Sequence, residues 1–219
     1  MPAEGRARRT AVVVFTRAPV PGRTKTRLVP LLGAEGAAGL HELLLLRTVR
    51  VARQAAVGPV FLYVAPEDGA PSHRPGYFDR FRPRLRVRVQ RGTDLGERMH
   101  RAFAERLRCH PAVLLVGSDC PALRPKDLRA ASLALLTSPR TGPRAVLAPA
   151  EDGGYPLIGL RRAAPRIFDG LPWGSDRIFA LTRRRMAELR WPLRVGRTLW
   201  DVDRAEDVRR LHARDLSRT

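Results

Sequence analysis

The sequence predicts a single α/β domain, residues 1–219, in which helices cover both faces of a mostly parallel central sheet. The chain is long enough to bury one large apolar core. Hydrophobic residues make up 44% of it and charged residues 28%, a balance typical of globular proteins. Short apolar runs alternate along the chain with segments of helical period. Such alternation favours parallel strands joined by helices.

Strands are predicted wherever a short apolar or alternating run is bounded by turn residues. Residues 10–16 form a continuous apolar run rich in β-branched side chains, as in strands buried on both faces. Residues 85–90 instead alternate, with arginines on one side. The other strands are expected at residues 60–65, 112–116, 145–148, 155–160 and around 193–199.

Helices are predicted between these strands. Residues 34–55 carry apolar side chains at helical spacing, and Gly58 and Pro59 follow as a stop signal. Residues 125–136 begin with Pro125, a residue favoured in the first helical turn. The remaining helices are expected at residues 94–107, 175–189 and 205–216.

The formal net charge of +20 is a pattern also found in proteins that bind nucleic acids. All but two of the 41 Lys and Arg side chains are arginine, however, and they are scattered along the chain. Aromatic residues are only 6% and do not alternate with basic ones as a stacking surface requires. We therefore expect no nucleic-acid partner, and a non-catalytic arginine-rich nucleic-acid-binding module stays as an alternative function.

The uninterrupted apolar runs are too short for a membrane span. The longest, such as residues 11–15 and 43–46, fall far below the roughly 20 residues that a spanning helix needs. The apolar stretch behind the N-terminal arginines is also too short for a signal peptide. We expect a cytoplasmic protein without a membrane partner.

Four loops at the carboxyl ends of the predicted strands are the places to look for a site, because ligands of open α/β sheets bind there. These loops are residues 17–27, 117–121, 151–154 and 200–203. We call the first the basic loop and the third the acidic loop.

The basic loop has the composition of a phosphate site. Its cationic side chains can donate to phosphate oxygens: Arg17, Arg23, Lys25 and Arg27. Gly22 permits a tight bend, but two residues separate it from Lys25, which excludes a P-loop. A solvated basic turn is the competing interpretation. A lysine in a chain that otherwise uses arginine nevertheless indicates a compact point charge at a site.

Two aspartates are candidate metal ligands. Asp119 follows the predicted strand 112–116, and it lies too early to cap the helix at 125–136. Mg²⁺ and Mn²⁺ prefer one or two carboxylates together with phosphate and water oxygens. Asp203, rather than Asp201, is the preferred second ligand, although either could instead cap the last helix.

The acidic loop, with the sequence EDGG, is the weaker candidate. Gly153 and Gly154 allow main-chain conformations closed to other residues and the close approach of a nucleotide. A hairpin turn is the alternative interpretation. Asp152 is a candidate general base on its position alone, and Lys25 is the other candidate catalytic residue.

The histidines and Ser118 give no competing site. The histidines show no ligand spacing, and we expect packed or surface roles for them: His41, His73, His100, His110 and His212. Ser118 has no Gly-x-Ser-x-Gly context, so a hydrolase triad finds no support.

Together these segments resemble a bacterial family of GT-A-like transferases, the radical-SAM/selenodomain-associated transferase 1 type. The resemblance runs from RAPVPGRTKTRL through QRGTDLGERM, GSDCPAL and APAEDGGYPLIGL to DVDRAEDV. It implies a Rossmann-like three-layer sandwich of the GT-A class. The family's relatives include glycosyltransferases and the molybdenum-cofactor and phospholactate guanylyltransferases.

The resemblance also implies residue roles. Lys25 and Arg27, within KTRL, would bind nucleotide phosphates, and Asp94, Leu95 and Gly96 would lie near the base. Asp119 corresponds to the metal aspartate, and Asp203 to a late residue that shares the metal. This sequence departs from the family pattern at Pro156 and over residues 174–176, which puts acceptor contacts in doubt.

The implied function is a metal-dependent transferase with a nucleotide-linked donor and Mg²⁺ or Mn²⁺ as cofactor. The foremost hypothesis is a glycosyltransferase that moves a sugar from a nucleotide sugar to an unknown small-molecule acceptor. The alternative is a guanylyltransferase-like nucleotidyltransferase that joins a nucleoside triphosphate to a phosphorylated small molecule.

Overall fold

The computed structural model describes residues 10–66, 76–82, 85–137 and 144–211. The strands are β1 (Ala11–Thr16), β2 (Val60–Val64), β3 (Arg86–Val89), β4 (Val113–Gly117), β5 (Ala145–Ala148), β6 (Leu157–Leu160) and β7 (Leu193–Val195). The helices are α1 (Val29–Ala55), α2 (Leu95–Leu107), α3 (Pro125–Leu136), α4 (Ile178–Glu188) and α5 (Ala205–Arg210). Short 3₁₀ turns lie at Thr26–Leu28, Tyr77–Phe81 and Pro165–Ile167.

These strands form one seven-stranded sheet in the order β3-β2-β1-β4-β6-β5-β7. Neighbours pair in parallel, except that β6 runs antiparallel to both β4 and β5. The predicted mixed α/β architecture with a mostly parallel sheet is therefore confirmed. The carboxyl ends of β1, β2, β3 and β4 meet at one edge, where the predicted loops also lie.

Alternating side chains of each central strand pack into two cores, one on each face of the sheet. Val12 and Val14 of β1 pack in the core that holds side chains of α1 and α3. Val13 and Phe15 face the opposite core, which holds side chains of α2 and α4. Because both faces are covered, these strands are apolar throughout, and this explains why the run at residues 10–16 lacks alternation.

The helix α1 is longer than predicted and is broken near its start. Gly33, with φ 70° and ψ 168°, interrupts the helical conformation, so the predicted start at residue 34 marks the beginning of its regular part. The segment Thr26–Ala55 has the length and apolar composition of a membrane span. Charged residues such as Glu35, Glu42 and Arg47 interrupt it, so no uninterrupted apolar run in the sequence reaches that length. Leu45 and Val49 pack in the core beneath the sheet, which is the packing of a core helix.

Other boundaries differ for local reasons. Strand β6 begins at Leu157 rather than residue 155, since Pro156 has no N–H for the ladder. Helix α4 begins at Ile178 rather than residue 175, because Ser175 forms a turn with its N–H bonded to the carbonyl of Pro172. The predicted residues 212–216 of α5, and the histidines at 73 and 212, lie outside the described residues.

Candidate functional site

A cavity of about 600 Å³ opens at the carboxyl ends of β1 to β4. On one side it is lined by cationic residues of the basic loop and by Asp119 and Asp203. On the side of β3 it is lined by Gln90, Leu95 and Arg98. The structure thus brings together three of the four loops expected to form the site.

Internal hydrogen bonds fix the conformation of the basic loop. Thr24 is buried, and its hydroxyl donates to the carbonyl of Ala18 at 2.7 Å and accepts from the N–H of Val20 at 3.1 Å. Gly22 adopts φ 72°, which supports the tight bend expected of it, but it does not line the cavity. The loop is therefore pinned around Thr24, while Arg17 and Arg23 reach the cavity from its exposed side.

Lys25 projects from the basic loop into a group of oxygen atoms. Its backbone is left-handed, with φ 54° and ψ 42°, a conformation that non-glycine residues adopt rarely and often at functional sites. Its Nζ lies 2.7 Å from Oδ2 of Asp119 and 4.0 Å from Oδ1 of Asp203, and it donates to the carbonyl of Val202. Only 5% of its side chain is exposed. A single cation thus lies between the two predicted metal ligands.

A main-chain hydrogen bond brings those two aspartates together. The N–H of Val202 donates to the carbonyl of Asp119 at 3.0 Å, which joins the loop after β4 to the one before α5. Arg27 forms an ion pair with Asp203 at the mouth of the cavity. Neither aspartate caps the helix that follows it: Asp127 and Asp207 accept the N–H bonds at the starts of α3 and α5.

Asp119 lines the cavity. Burial raises its pKa, but the charge of the Lys25 ammonium, the neighbouring His41 ring and the hydrogen bond from Lys25 outweigh burial, and the pKa lies well below its usual range. Its side chain is nevertheless 39% exposed to the cavity. Asp119 therefore stays ionised and accessible to a ligand.

The sequence prediction missed His41. This residue of α1 is buried, as expected of a packed histidine, but it also lines the cavity. Its Nδ1 lies 3.4 Å from Oδ1 of Asp119, and its Nε2 lies 3.1 Å from the carbonyl oxygen of Arg17. His41 thus connects the basic loop to Asp119. Helical spacing alone could not show this, because His41 lies 78 positions from Asp119 in the chain.

Asp201 interacts electrostatically with Asp152 of the acidic loop and with Lys25 and Asp119 of the site. Burial and the neighbouring carboxylate of Asp152 raise the pKa of Asp201 to about 6, although the Lys25 ammonium lowers it. Asp152 itself is exposed and accepts a hydrogen bond from the N–H of Gly154 at 2.9 Å. The candidate base therefore lies close enough to interact with the site, but it does not line the cavity.

Four predicted nucleotide-binding residues also lie outside the cavity lining and have structural contacts instead. Asp94 caps α2 by accepting from the N–H of Glu97 at 2.8 Å. A Cβ on Gly96 would lie 2.9 Å from the ring of Trp173. A Cβ on Gly153 would collide with the main chain of Asp176, and Gly154 bonds to Asp152. Their predicted contacts with a nucleotide stay predictions.

The oxygens around Lys25 fit the chemistry of a hard divalent cation. Carboxylate and carbonyl oxygens of Asp119, Asp203 and Val202 already surround one positive charge. Within residues 10–66, 76–82, 85–137 and 144–211, no three His, Cys, Asp or Glu side chains form a complete metal-binding group. A metal here would need further oxygens from a ligand, as Mg²⁺ does when it binds substrate phosphates.

Comparison with known proteins assigns the chain to a family. A family model described as uncharacterized proteins conserved in bacteria (DUF2064) matches residues 48–175, more than half of the chain. The chain belongs to this DUF2064 family. The match includes Asp119 and the acidic loop, but it begins after the basic loop and ends before Asp203. No curated protein sequence matches this DUF2064 member.

Solved structures similar to this DUF2064 protein share its fold. A protein from Desulfovibrio desulfuricans G20, provisionally named a nucleotide-diphospho-sugar transferase, is 27% identical, with a TM-score of 0.83 over 96% of this chain and 89% of that one. A nucleotidyl transferase from Methanothermobacter thermautotroptrophicus (Mth528) is 19% identical, with a TM-score of 0.58 over 96% and 99%. Rv0371C from Mycobacterium tuberculosis H37Rv, solved with manganese, is 20% identical, with a TM-score of 0.52 over 93% and 97%. The likeness to named transferases agrees with the predicted enzyme class.

Proposed function

We propose that this protein is a metal-dependent transferase that binds a nucleotide-linked donor in the cavity at the carboxyl ends of β1 to β4. The main support for this proposal is that the basic loop, Asp119 and Asp203 line one cavity and form ion pairs there. The cationic side chains of the loop suit phosphate oxygens, and the carboxylates suit a divalent cation. A solvated basic turn would not need a buried lysine in a left-handed conformation.

In this function the chain's own residues bind and orient the donor. Arg17, Arg23 and Arg27 would donate to its phosphate oxygens, and Lys25 would move from Asp119 toward them. Asp119 and Asp203 would hold Mg²⁺ or Mn²⁺, which supplies positive charge beside the leaving phosphate. Asp152, on the acidic loop, is the proposed base for an acceptor hydroxyl.

The first candidate reaction is transfer of a sugar from a nucleotide sugar. It is supported by the likeness to the Desulfovibrio protein named for that class. A second candidate, nucleotidyl transfer from a nucleoside triphosphate, is favoured by the charge of the cavity. Among the residues that the structure describes, four cationic side chains of the basic loop and two aspartates line it, a surplus that suits a triphosphate better than the less charged diphosphate of a nucleotide sugar.

Thermal unfolding with a panel of ligands separates these candidates, because a bound ligand raises the unfolding temperature by mass action. We would compare nucleotide sugars with nucleoside triphosphates at fixed Mn²⁺. Stabilisation by triphosphates alone would rule out sugar transfer, and stabilisation by nucleotide sugars supports it. If neither class stabilises the protein, the proposed nucleotide-linked function is wrong.

A further inference from the structure

We propose that Gln90 is a fixed hydrogen-bond acceptor that recognises an N–H donor on the base of the bound nucleotide. This inference rests on the proposed function, because it takes the cationic side of the cavity to hold the phosphates. It adds a residue that reads the base, at the end of β3 in the same cavity.

Gln90 lies at the carboxyl end of β3, where the sheet borders the cavity. It is 6% exposed, and its main-chain N–H donates to the carbonyl of Val64 at 2.8 Å. It also lines the cavity, so its small exposed surface faces the ligand space. A polar side chain this deeply buried is expected to have hydrogen-bond partners for all its polar atoms.

Two carbonyl groups fix the orientation of the Gln90 carboxamide. Its Nε2 donates to the carbonyl oxygens of Thr16 at 3.2 Å and Tyr63 at 2.9 Å. Carbonyl oxygens only accept, so a flipped amide would set Oε1 against two other oxygens. The carboxamide therefore cannot exchange its donor and acceptor ends. Both N–H groups are used, and Oε1 has no partner among the residues that the structure describes.

An acceptor that cannot become a donor selects its ligand. It repels phosphate oxygens, and it binds a group that carries an N–H or O–H. The nearby lining includes Ala65 and Leu95, and Leu95 is 42% exposed. Apolar side chains beside a single polar atom fit the flat face and polar edge of a nucleobase better than the hydroxyl-rich surface of a sugar.

Arg98 supplies the complementary donors. Its Nε donates to the carbonyl of Gly92 at 3.1 Å, which orients the guanidinium, and its terminal N–H groups have no partner among the described residues. Base edges place N–H donors next to carbonyl or ring-nitrogen acceptors. Gln90 and Arg98 together thus match an edge with a donor beside an acceptor.

Isothermal titration of GDP, ADP, CDP and UDP against inorganic pyrophosphate, all with Mg²⁺, tests this recognition. Pyrophosphate reports the phosphate contacts alone. We expect the wild-type protein to bind at least one diphosphate about tenfold more tightly than pyrophosphate, with about a fivefold spread or more among the four bases. Gln90→Met should remove that preference and leave pyrophosphate affinity within about twofold. The control is Arg88→Gln, which changes an exposed residue of the same strand and should alter neither.

The outcomes separate this inference from the function on which it rests. Loss of nucleotide and pyrophosphate binding together in Gln90→Met would show a purely structural role, and an unchanged base preference would show no role. Either result overturns the inference and leaves the proposed function standing. The spread among bases is measured on the wild-type protein and so does not depend on the folding of the variant; its absence also overturns the inference. A wild-type protein that binds neither nucleotide nor pyrophosphate overturns both proposals.

Discussion

The Nζ atom of Lys25 lies 2.7 Å from Oδ2 of Asp119, although 94 positions separate the two residues in the chain. Lys25 comes from the loop after β1, and Asp119 from the loop after β4, the neighbouring strand. Their contact therefore follows from the parallel pairing of these two strands, which sets both loops at one edge. The ammonium also occupies the place beside the carboxylate that we propose for a metal ion.

Replacement of Lys25 should lower the affinity for a nucleotide diphosphate and raise the affinity for Mn²⁺. In Lys25→Met we expect nucleotide diphosphate affinity to fall by tenfold or more, because a charged donor to phosphate is lost. Binding of Mn²⁺ without nucleotide should instead become tighter, because the competing ammonium no longer neutralises Asp119. Electron paramagnetic resonance of free Mn²⁺ and calorimetry of GDP and UDP measure the two effects.

Lys126→Met is the matched control, since Lys126 is the other lysine of the chain and is exposed. It should change neither affinity. Unchanged nucleotide binding in Lys25→Met would contradict the proposed role of the basic loop, and unchanged Mn²⁺ binding would contradict the competition.

Replacement of Asp119 tests the metal assignment. Asp119→Asn keeps the size of the side chain but removes its charge. In the wild type we expect Mn²⁺ to increase nucleotide affinity, and in Asp119→Asn we expect Mn²⁺ to have no such effect. Asp169→Asn, at an exposed position away from the cavity, should leave that increase intact. If Mn²⁺ still strengthens nucleotide binding in Asp119→Asn, Asp119 is not a metal ligand.

Asp201 should make stability fall as the pH rises through weakly acidic values. Its pKa is about 6 in the folded protein, raised by burial and by Asp152, against roughly 4 in the unfolded chain. The protonated form is therefore favoured by folding: its contribution is fully present below about pH 4 and is lost as the pH rises through 6. Asp201→Asn should be more stable than the wild type by about 1 kcal/mol at pH 8, after allowance for partial exposure, and equally stable near pH 4.

Urea denaturation of both proteins at several pH values measures this difference. Asp169→Asn again serves as the control. The difference in its free energy of unfolding from the wild type should not rise between pH 4 and pH 8 as that of Asp201→Asn does. A constant difference between Asp201→Asn and the wild type from pH 4 to pH 8 would show that Asp201 titrates normally.

Gly153 should be required for folding rather than for ligand approach. A Cβ there would lie 1.8 Å from the carbonyl oxygen of Asp176, and φ is +86°. We expect Gly153→Ala to destabilise the protein by about 3 kcal/mol or more, which corresponds to a fall of roughly 10 °C in Tm. Gly174 has nearly the same φ, +87°, but a Cβ added there would have nothing within 4 Å. Gly174→Ala should therefore cost only about 1 kcal/mol, and equal losses of Tm would refute the steric explanation.

Much of the fold follows from the periodicity of the sequence. The central strands and the helix Pro125–Leu136 lie where apolar runs and helical spacing predicted them. The antiparallel direction of β6 was not predictable, because a continuous apolar run looks the same in either direction. The helical residues before Gly33 were also missed, since the predicted helix began at residue 34.

Only the part of the candidate site that lies at strand ends could be predicted from the sequence. Residues that meet at strand ends, such as Lys25, Asp119 and Asp203, could be grouped once a parallel sheet was assumed. His41 and Gln90 could not, because their contacts depend on side-chain orientation in the folded protein. Asp94 has a carboxylate, and Gly96 and Gly153 have no side chain, and both features suggested a ligand. The structure shows a helix cap at Asp94 and close packing at the two glycines. Their contacts with a nucleotide stay predictions.

The antiparallel β6 has a consequence for how this enzyme could be altered. Because β6 turns back beside β5, the acidic loop is a short connection that crosses no layer of helices. It is held by the N–H of Phe179 at the start of α4, which donates to the carbonyl of Gly153. Under the proposed function, acceptor preference can then be redesigned by grafting residues onto this hairpin and α4. The basic loop and the loop of Asp119, which are proposed to hold the phosphates and the metal, follow β1 and β4 and can stay untouched.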